Sequence, residues 1–146
     1  MSRAPFQVLV IPFRKQYNKY EFCIFHRTDL SFWQWISWGG EDDETPLKAA
    51  KREAYEEGNI SSYNLYIELE STTSIPAKFF EEIVRNYPSR IVVPEYSFGV
   101  EVSEMISLSY EHSDCQWVDY NKAIELLKYD SNKTALYELN QQLECM

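Results

Sequence analysis

Hydrophobic residues in the first forty positions occur in short runs rich in aromatic and β-branched side chains, a pattern typical of β-strands. Such runs predict strands at Phe6 to Arg14 and at Tyr20 to Phe25. Gln16-Tyr17-Asn18-Lys19 between them predicts a hairpin turn. A third strand is predicted at Phe32 to Trp38, directly before Gly39-Gly40. The chain is therefore expected to begin with a sheet.

An amphipathic helix is predicted after the acidic loop Glu41 to Glu44. Thr45 is a good N-cap, and Pro46 falls at the first helical position, where its missing N–H is tolerated. Helix-favouring residues continue to Glu57, and Gly58-Asn59 is a typical helix end.

The rest of the chain alternates strand and helix patterns. The predicted elements are a strand at Tyr63 to Ser74, a short helix at Ala77 to Arg85, a long strand at Arg90 to Val102 that is bent or edged at Pro94, a short strand at Cys115 to Tyr120, and two helices at Lys122 to Lys128 and Lys133 to Leu143. No repeat or linker interrupts residues 1–146, so we expect one domain. The predicted fold class is α+β, with a mixed sheet packed between helices.

Three carboxylates share one side of the first predicted helix. At about 100° per residue, Glu53, Glu56 and Glu57 fall within one arc of about 100°, beside an apolar stripe that includes Ala50 and Ala54. Three glutamates alone more often mark a solvated acidic face. In a cleft, their mutual repulsion would need a hard divalent cation, and magnesium is the commonest such ion used with phosphates.

The residues around the three glutamates favour a metal site over a solvated acidic face. Residues 39–60, GGEDDETPLKAAKREAYEEGNI, resemble the Nudix box, G-x5-E-x7-R-E-U-x-E-E-x-G-U, in which U is a bulky aliphatic residue. Glu44, Arg52-Glu53 and Glu56-Glu57 fill the five charged positions, and Ile60 fills the last one. Five charged positions at fixed spacing on a capped helix are a specific signature, and they identify the chain as similar to the Nudix superfamily.

The sequence departs from the box at three positions. Trp38 stands where the opening glycine is usual, although Gly39 and Gly40 follow and can supply the flexibility of the loop. Asn59 replaces the second glycine. Among the residues other than glycine, asparagine best tolerates the left-handed conformation at a helix end. Ala54 is smaller than the usual aliphatic residue. None of these changes removes a carboxylate.

The resemblance implies a Nudix-like α/β/α sandwich and a metal-dependent hydrolase. By position in the box, Glu53, Glu56 and Glu57 would bind one or more magnesium ions, with manganese as a substitute. Arg52 would orient Glu53, and Glu44 would stabilise the loop or an outer-shell water. An ion pair of Arg52 with Glu56, four residues apart on the helix, is compatible with this role.

Nudix enzymes commonly take a general base or an extra ligand from outside the box. Glu111 is the favoured candidate, with Glu95, Glu101 and Glu104 as alternatives. Short pieces of the chain also resemble the bacterial dihydroneopterin triphosphate pyrophosphatase branch of the superfamily. These pieces are Glu111-His112, Cys115-Gln116-Trp117-Val118-Asp119, Arg27-Thr28-Asp29 and Phe32-Trp33-Gln34.

Four residues before and within the box are predicted to contact the substrate: Arg27, Trp38, Gly39 and Gly40. Arg27 could bind a phosphate group, or it could form a surface ion pair with Asp29. Trp38 could project over the pocket or pack in the core.

The net charge of −9 and the pI near 4.7 restrict the possible partners. Such a protein would repel a nucleic-acid backbone, so a phosphorylated small molecule must be attracted through a bound cation.

No segment has the roughly 20 apolar residues of a membrane span. Cys23, Cys115 and Cys145 are scattered and predict free thiols in a reducing cytoplasm. Homodimers are common in the superfamily, and no residue pattern here decides that point.

The expected function is magnesium-dependent cleavage of a phosphoanhydride bond in a nucleoside- or pteridine-triphosphate-like substrate, with release of pyrophosphate. The alternatives are hydrolysis of another nucleoside diphosphate derivative, such as a dinucleotide or a nucleotide sugar, and a catalytically inactive Nudix module that senses a ligand.

Overall fold

The computed structural model describes residues 2–27, 29, 31–107 and 112–146. Its strands are β1 (Arg3–Gln16), β2 (Lys19–Arg27), β3 (Trp33–Gln34), β4 (Ile36–Glu41), β5 (Tyr66–Pro76), β6 (Val92–Glu101) and β7 (His112–Val118). Its α-helices are α1 (Pro46–Gly58), α2 (Glu81–Asn86), α3 (Tyr120–Leu126) and α4 (Asp130–Glu144), and a 3₁₀ turn (Ala77–Phe79) precedes α2. No helix in this part of the chain is long and apolar enough to cross a membrane.

The strands form one mixed sheet in the order β3-β2-β1-β6-β5, with β4 also paired to β1 and β7 also paired to β2. β1 and β6 run parallel, from the pair Gln7 and Glu95 to the pair Phe13 and Glu101, and the other pairings are antiparallel. The sheet packs between helices, so the predicted α+β class with a mixed central sheet is confirmed.

Side chains of β1 alternate between the two faces of the sheet, and each face has its own core. On the α1 face, Val8 and Val10 pack with Ala50 and Ala54 of the helix. On the α4 face, the core consists largely of Leu9, Ile11, Phe13, Trp35, Leu136 and Leu139. This alternation places α1 and α4 on opposite sides of the sheet and makes the α/β/α sandwich.

The predicted first hairpin is confirmed with a two-residue turn. Tyr17 and Asn18 have φ values of 52° and 63°. Two successive left-handed residues match the right-handed twist of the flanking strands, so β1 continues to Gln16 and β2 begins at Lys19.

Two predicted elements differ from the structure. The predicted strand Phe32 to Trp38 is divided at Trp35, because the Trp35 backbone N–H donates to Asn132 Oδ1 at 3.1 Å instead of joining the sheet. The strand after this break continues through Gly39-Gly40 to Glu41, so these residues are not part of the loop. The predicted helix at Ala77 to Arg85 is interrupted at Phe80, whose extended backbone (φ −121°, ψ 99°) separates the 3₁₀ turn from α2.

Candidate active site

Helix α1 has the predicted start and end. The Thr45 side chain accepts a hydrogen bond from the Lys48 backbone N–H at 3.2 Å, and Pro46 begins the helix. At the other end, Asn59 is left-handed (φ 57°, ψ 34°), and its N–H donates to the Tyr55 carbonyl at 2.9 Å. Asparagine therefore performs the capping that glycine usually performs in the box.

The packing of α1 against the sheet determines which of its carboxylates are buried. Ala49, Ala50 and Ala54 are completely buried. Glu53 lies on the margin of that apolar face and is 1% exposed, and Glu57 is 9% exposed. Small alanine side chains let the helix approach the sheet closely, so two of the three predicted ligands lie inside the protein and Glu56 stays at the surface.

Arg52 is the centre of the acidic cluster. Its guanidinium donates to both carboxylate oxygens of Glu44 at 2.8 and 3.0 Å, to Glu53 at 2.6 Å and to Glu56 at 3.2 Å. A further bond runs from Nη2 to the Gly39 carbonyl at 3.0 Å. A planar group with five N–H donors is needed for this many partners, which explains why the position holds arginine rather than lysine.

Glu44 connects this cluster to the loop before the helix. One of its oxygens accepts a hydrogen bond from the Glu41 backbone N–H at 2.8 Å, in addition to the two bonds from Arg52. The hydrogen bonds from Arg52 hold the pKa of the Glu44 carboxyl below its usual range. Glu44 thus remains charged and fixes the loop against α1.

Glu53 has a different electrostatic environment. Burial raises its pKa to about 8, against the opposing effect of the hydrogen bond from Arg52, and the charges of Glu56 and Glu57 raise it further. Arg52 alone thus does not offset the burial of this carboxyl group and the charges of its two neighbours. This donor set of oxygen ligands fits a hard divalent cation.

In the described residues, no three His, Cys, Asp or Glu side chains converge tightly enough to enclose an ion. Arg52 holds Glu53 and Glu56 on its guanidinium group, at 2.6 and 3.2 Å. Metal coordination by Glu53, Glu56 and Glu57 therefore requires rotation of these side chains, and their roles as ligands stay predictions.

A cleft of about 430 Å³ lies beside the loop that carries the box. It is lined by residues of β1, β2, β3, β4 and the start of α2, among them Arg3, Gln7, Arg27, Gln34, Ser37, Trp38, Gly39 and Phe80. Three of the four predicted substrate-contacting residues therefore lie in one cleft. Gly40 packs differently, since a Cβ there would lie 2.2 Å from the Phe6 ring.

Arg27 and Trp38 form part of the wall of this cleft. Arg27 makes two hydrogen bonds to Asp29, at 2.9 and 2.8 Å, which is the ion pair considered as its alternative role. Trp38 is 42% exposed, so it is not a core residue. Trp35, in contrast, is completely buried, and its indole N–H donates to the Asn132 carbonyl at 3.0 Å.

Arg3 is a cleft residue that sequence reasoning missed. Its guanidinium donates to the carbonyls of Ala4 and Phe6 at 2.6 and 2.7 Å, bonds to the Gln7 side chain, and lies 5.2 Å from the centroid of the Phe80 ring. Burial lowers the pKa of Arg3, while the charges of Glu82 and Glu53 raise it. No motif marked this arginine, because only the fold brings the start of β1 beside the box.

The four candidates for a base outside the box differ in their surroundings. Glu111, the favoured one, lies outside the described residues. Glu101 is exposed, and Glu104 accepts hydrogen bonds from Ser61 N–H and from Asn64 at 3.2 and 2.9 Å. Glu95 is buried in the sheet, 4% exposed.

Comparisons with known proteins agree with this fold. A NUDIX domain family model matches residues 5–139. The dihydroneopterin triphosphate diphosphatase of Haemophilus influenzae is 33% identical over 132 residues, which cover 88% of this chain and 83% of that protein.

Solved structures show the same fold. A NUDIX hydrolase structure from Listeria monocytogenes superposes with a TM-score of 0.87 at 46% identity, covering 97% of this chain and 96% of that one. The Escherichia coli dihydroneopterin triphosphate pyrophosphohydrolase superposes with a TM-score of 0.75 at 26% identity, covering 96% and 99%. The capped acidic helix, the arginine that links it to the cleft, and these matches together show that the chain belongs to the Nudix hydrolase family.

Proposed function

We propose that this protein hydrolyses a phosphoanhydride bond of a pteridine- or nucleoside-triphosphate-like substrate and releases pyrophosphate. Dihydroneopterin triphosphate is the first candidate, because the relatives named for this reaction match nearly the whole chain. Nudix hydrolases generally use divalent metal ions. We propose magnesium here, with manganese as a substitute.

The hydrogen bond between Arg52 and the Gly39 carbonyl carries this proposal. It fixes the acidic helix against the strand that forms one wall of the cleft. A substrate can therefore place its phosphates at the box and extend along the cleft at the same time. Gly39 belongs to the cleft wall, and the Arg3 and Arg27 side chains supply positive charge there.

In the proposed mechanism, Glu53, Glu56 and Glu57 hold the metal and Arg52 positions Glu53. A metal bound there would neutralise the phosphate charge and activate a water for in-line attack. Glu44 keeps the loop in place through the Glu41 N–H. Glu111 stays the proposed base or additional ligand.

The test is an assay of the purified protein with dihydroneopterin triphosphate and a panel of nucleotides, dinucleotides and nucleotide sugars. Pyrophosphate and orthophosphate are measured separately, with magnesium, with manganese and with excess chelator. We expect pyrophosphate from a triphosphate substrate and no turnover in chelator. Full turnover in chelator would contradict the metal-dependent mechanism, and activity on nucleotide sugars alone would contradict the substrate class.

The role of Glu111 is tested separately with Glu111→Gln. A lower rate with unchanged magnesium affinity would identify a base, and a loss of both would identify a ligand. Unchanged turnover would exclude Glu111.

A further inference from the structure

A second cavity of about 230 Å³ lies beside the cleft, between β5, β6 and the start of α4. Among the described residues, its wall contains two carboxylates, Glu95 and Asp130, and no lysine or arginine. Six hydroxyl side chains complete the lining: Ser71, Thr72, Thr73, Ser97, Ser131 and Thr134. Without a cation this wall does not suit a phosphate group. It suits a group that donates N–H or O–H hydrogen bonds.

Glu95 is the buried carboxyl group of this cavity. It is 4% exposed and accepts one hydrogen bond, from Ser37 Oγ to its Oε2 at 3.3 Å. No other hydrogen-bond donor to this carboxyl group occurs in the described part of the chain, and burial raises its pKa to about 7. A buried carboxyl group with so few partners is costly for the fold, which points to a partner that arrives with a ligand.

The position of Glu95 connects the two cavities. Ser37, its hydrogen-bond donor, lines the cleft, and so does Gln7, its neighbour across the parallel β1–β6 pair. Gly39 pairs with Gln7 on the other side of β1. The backbone of Glu95 is two strand spacings, or about 10 Å, from β4, but its side chain reaches across β1, so its carboxyl group lies 3.3 Å from Ser37 Oγ. The carboxyl group therefore lines the second cavity and at the same time contacts a residue of the cleft wall.

Basic side chains line the cleft and are absent from the described lining of the second cavity. Arg3 and Arg27 line the cleft together with the carboxylates Glu41, Glu81 and Glu82, whereas Glu95 and Asp130 line the second cavity. A substrate with an anionic end and an end rich in N–H donors fits this order. Pterin and guanine share such an end, since each has an adjacent ring N–H and 2-amino group that can donate in parallel to one carboxylate.

We infer that Glu95 recognises the edge shared by pterin and guanine, formed by the ring N–H and the adjacent 2-amino group, and so selects the ring of the substrate. This inference rests on the proposed function, because it assumes that the phosphates of the same molecule lie at the box. Ser37 is the positioning residue that holds Glu95 toward the ring. Adenine has no such edge, and hypoxanthine lacks the 2-amino group.

The test uses binding rather than turnover, so that it does not depend on the proposed reaction. Neopterin, guanosine monophosphate and inosine monophosphate are titrated into the protein by calorimetry. One bidentate contact corresponds to about a 10- to 100-fold preference. Wild type should prefer guanosine over inosine monophosphate by about that factor. Glu95→Gln should remove the preference and weaken neopterin binding to a similar extent, with inosine monophosphate unchanged.

Glu68→Gln is the matched control, because Glu68 is an exposed glutamate on the adjacent strand β5, and it should bind all three probes as wild type does. Ser37→Ala, which keeps the buried carboxyl group, should give a smaller loss in the same direction. Wild-type preferences in both Glu95→Gln and Ser37→Ala would overturn the inference. Loss of the preference in Asp130→Asn alone would also overturn it. If wild type shows the preference but hydrolyses no triphosphate, the proposed function fails and the role of Glu95 stands.

Discussion

Arg52 and Gly39 are joined by a hydrogen bond of 3.0 Å from the guanidinium Nη2 to the carbonyl oxygen. Gly39 belongs to β4 and Arg52 to α1, so this one bond fixes the acidic helix to the sheet. The same guanidinium binds Glu44 through two oxygens and Glu53 through one. The geometry of the box therefore depends on the shape of one side chain.

Arg52→Lys should show this dependence, because an ammonium group cannot contact Glu44, Glu53 and Gly39 together. We expect turnover to fall at least about 10-fold and the free energy of unfolding to fall by about 1–3 kcal/mol. Arg14→Lys is the control, since Arg14 pairs with Glu21 at the partly exposed surface. Urea unfolding and steady-state kinetics on both variants test this. Equal effects in the two variants would contradict it.

Glu56→Gln and Glu57→Gln should each reduce turnover by about 100-fold or more, equivalent to about 3 kcal/mol of transition-state stabilisation. The folded protein should not lose stability, because each change removes a repulsion with Glu53. Kinetics at saturating magnesium and thermal unfolding without metal provide the two measurements. Glu144→Gln, at the exposed end of α4, should behave as wild type. Near-normal rates in both box variants would place the ligands elsewhere.

Gly39→Ala should weaken substrate binding and lose less stability than Gly40→Ala. A Cβ at Gly39 would lie 2.1 Å from Arg3 Cζ, so the Arg3 guanidinium must leave its hydrogen bonds to Ala4 and Phe6, which displaces positive charge from the cleft. We expect the KM to rise more than kcat changes. Gly40→Ala is the comparison, since its Cβ would meet the Phe6 ring and should cost about 1–3 kcal/mol of unfolding free energy. A larger loss of unfolding free energy in Gly39→Ala than in Gly40→Ala would contradict this prediction.

Trp38→Gly should alter the choice of substrate more than the rate. Trp38 lines the cleft and is 42% exposed, so its removal opens the wall without leaving a core cavity. The ratio of kcat/KM between a pteridine and a purine triphosphate should change, and metal dependence should remain. Unfolding of the variant at ordinary temperature would show that the indole is structural.

Glu95→Gln should stabilise the protein at high pH. The folded-state pKa of Glu95 is about 7, above its ordinary value of 4.5, so the folded state favours the protonated form. Between these values the unfolded chain releases the proton and the folded one keeps it, so stability falls as pH rises. Asp130 lines the same cavity, and the part of its lining that the structure describes has no lysine or arginine to offset the charge. Relative to wild type, Glu95→Gln should raise the free energy of unfolding by about 3 kcal/mol at pH 8 and change it little below pH 4.5. Urea unfolding from pH 4 to pH 8 measures the difference, and a constant difference would contradict it.

The sequence predicted the local features of the site well, because each has a local cause. Thr45, Pro46 and Asn59 delimit α1 through their own backbone preferences, and the structure has them in these roles. The break at Trp35 was not predictable, because it depends on Asn132, a residue distant in sequence.

The residues of the cleft could likewise be predicted only in part. Arg27, Trp38 and Gly39 were found because they flank a recognisable motif. Arg3 and Glu95 were not assigned to a pocket, since only the pairing of β1 with β4 and β6 brings them to the box. Residues whose role arises from tertiary contacts leave no pattern in the sequence.

The parallel pairing of β1 with β6 also has a kinetic consequence. It joins residues 7–13 to residues 95–101, so most of the chain forms a loop that must close before these contacts form. Loop closure of this kind slows folding, and β-pairing between distant segments is among the slow events of small domains. We therefore expect α1 to acquire helical structure early in refolding. The pairing of Gln7 with Glu95 should appear with the last cooperative phase, so binding competence should lag behind the recovery of secondary structure.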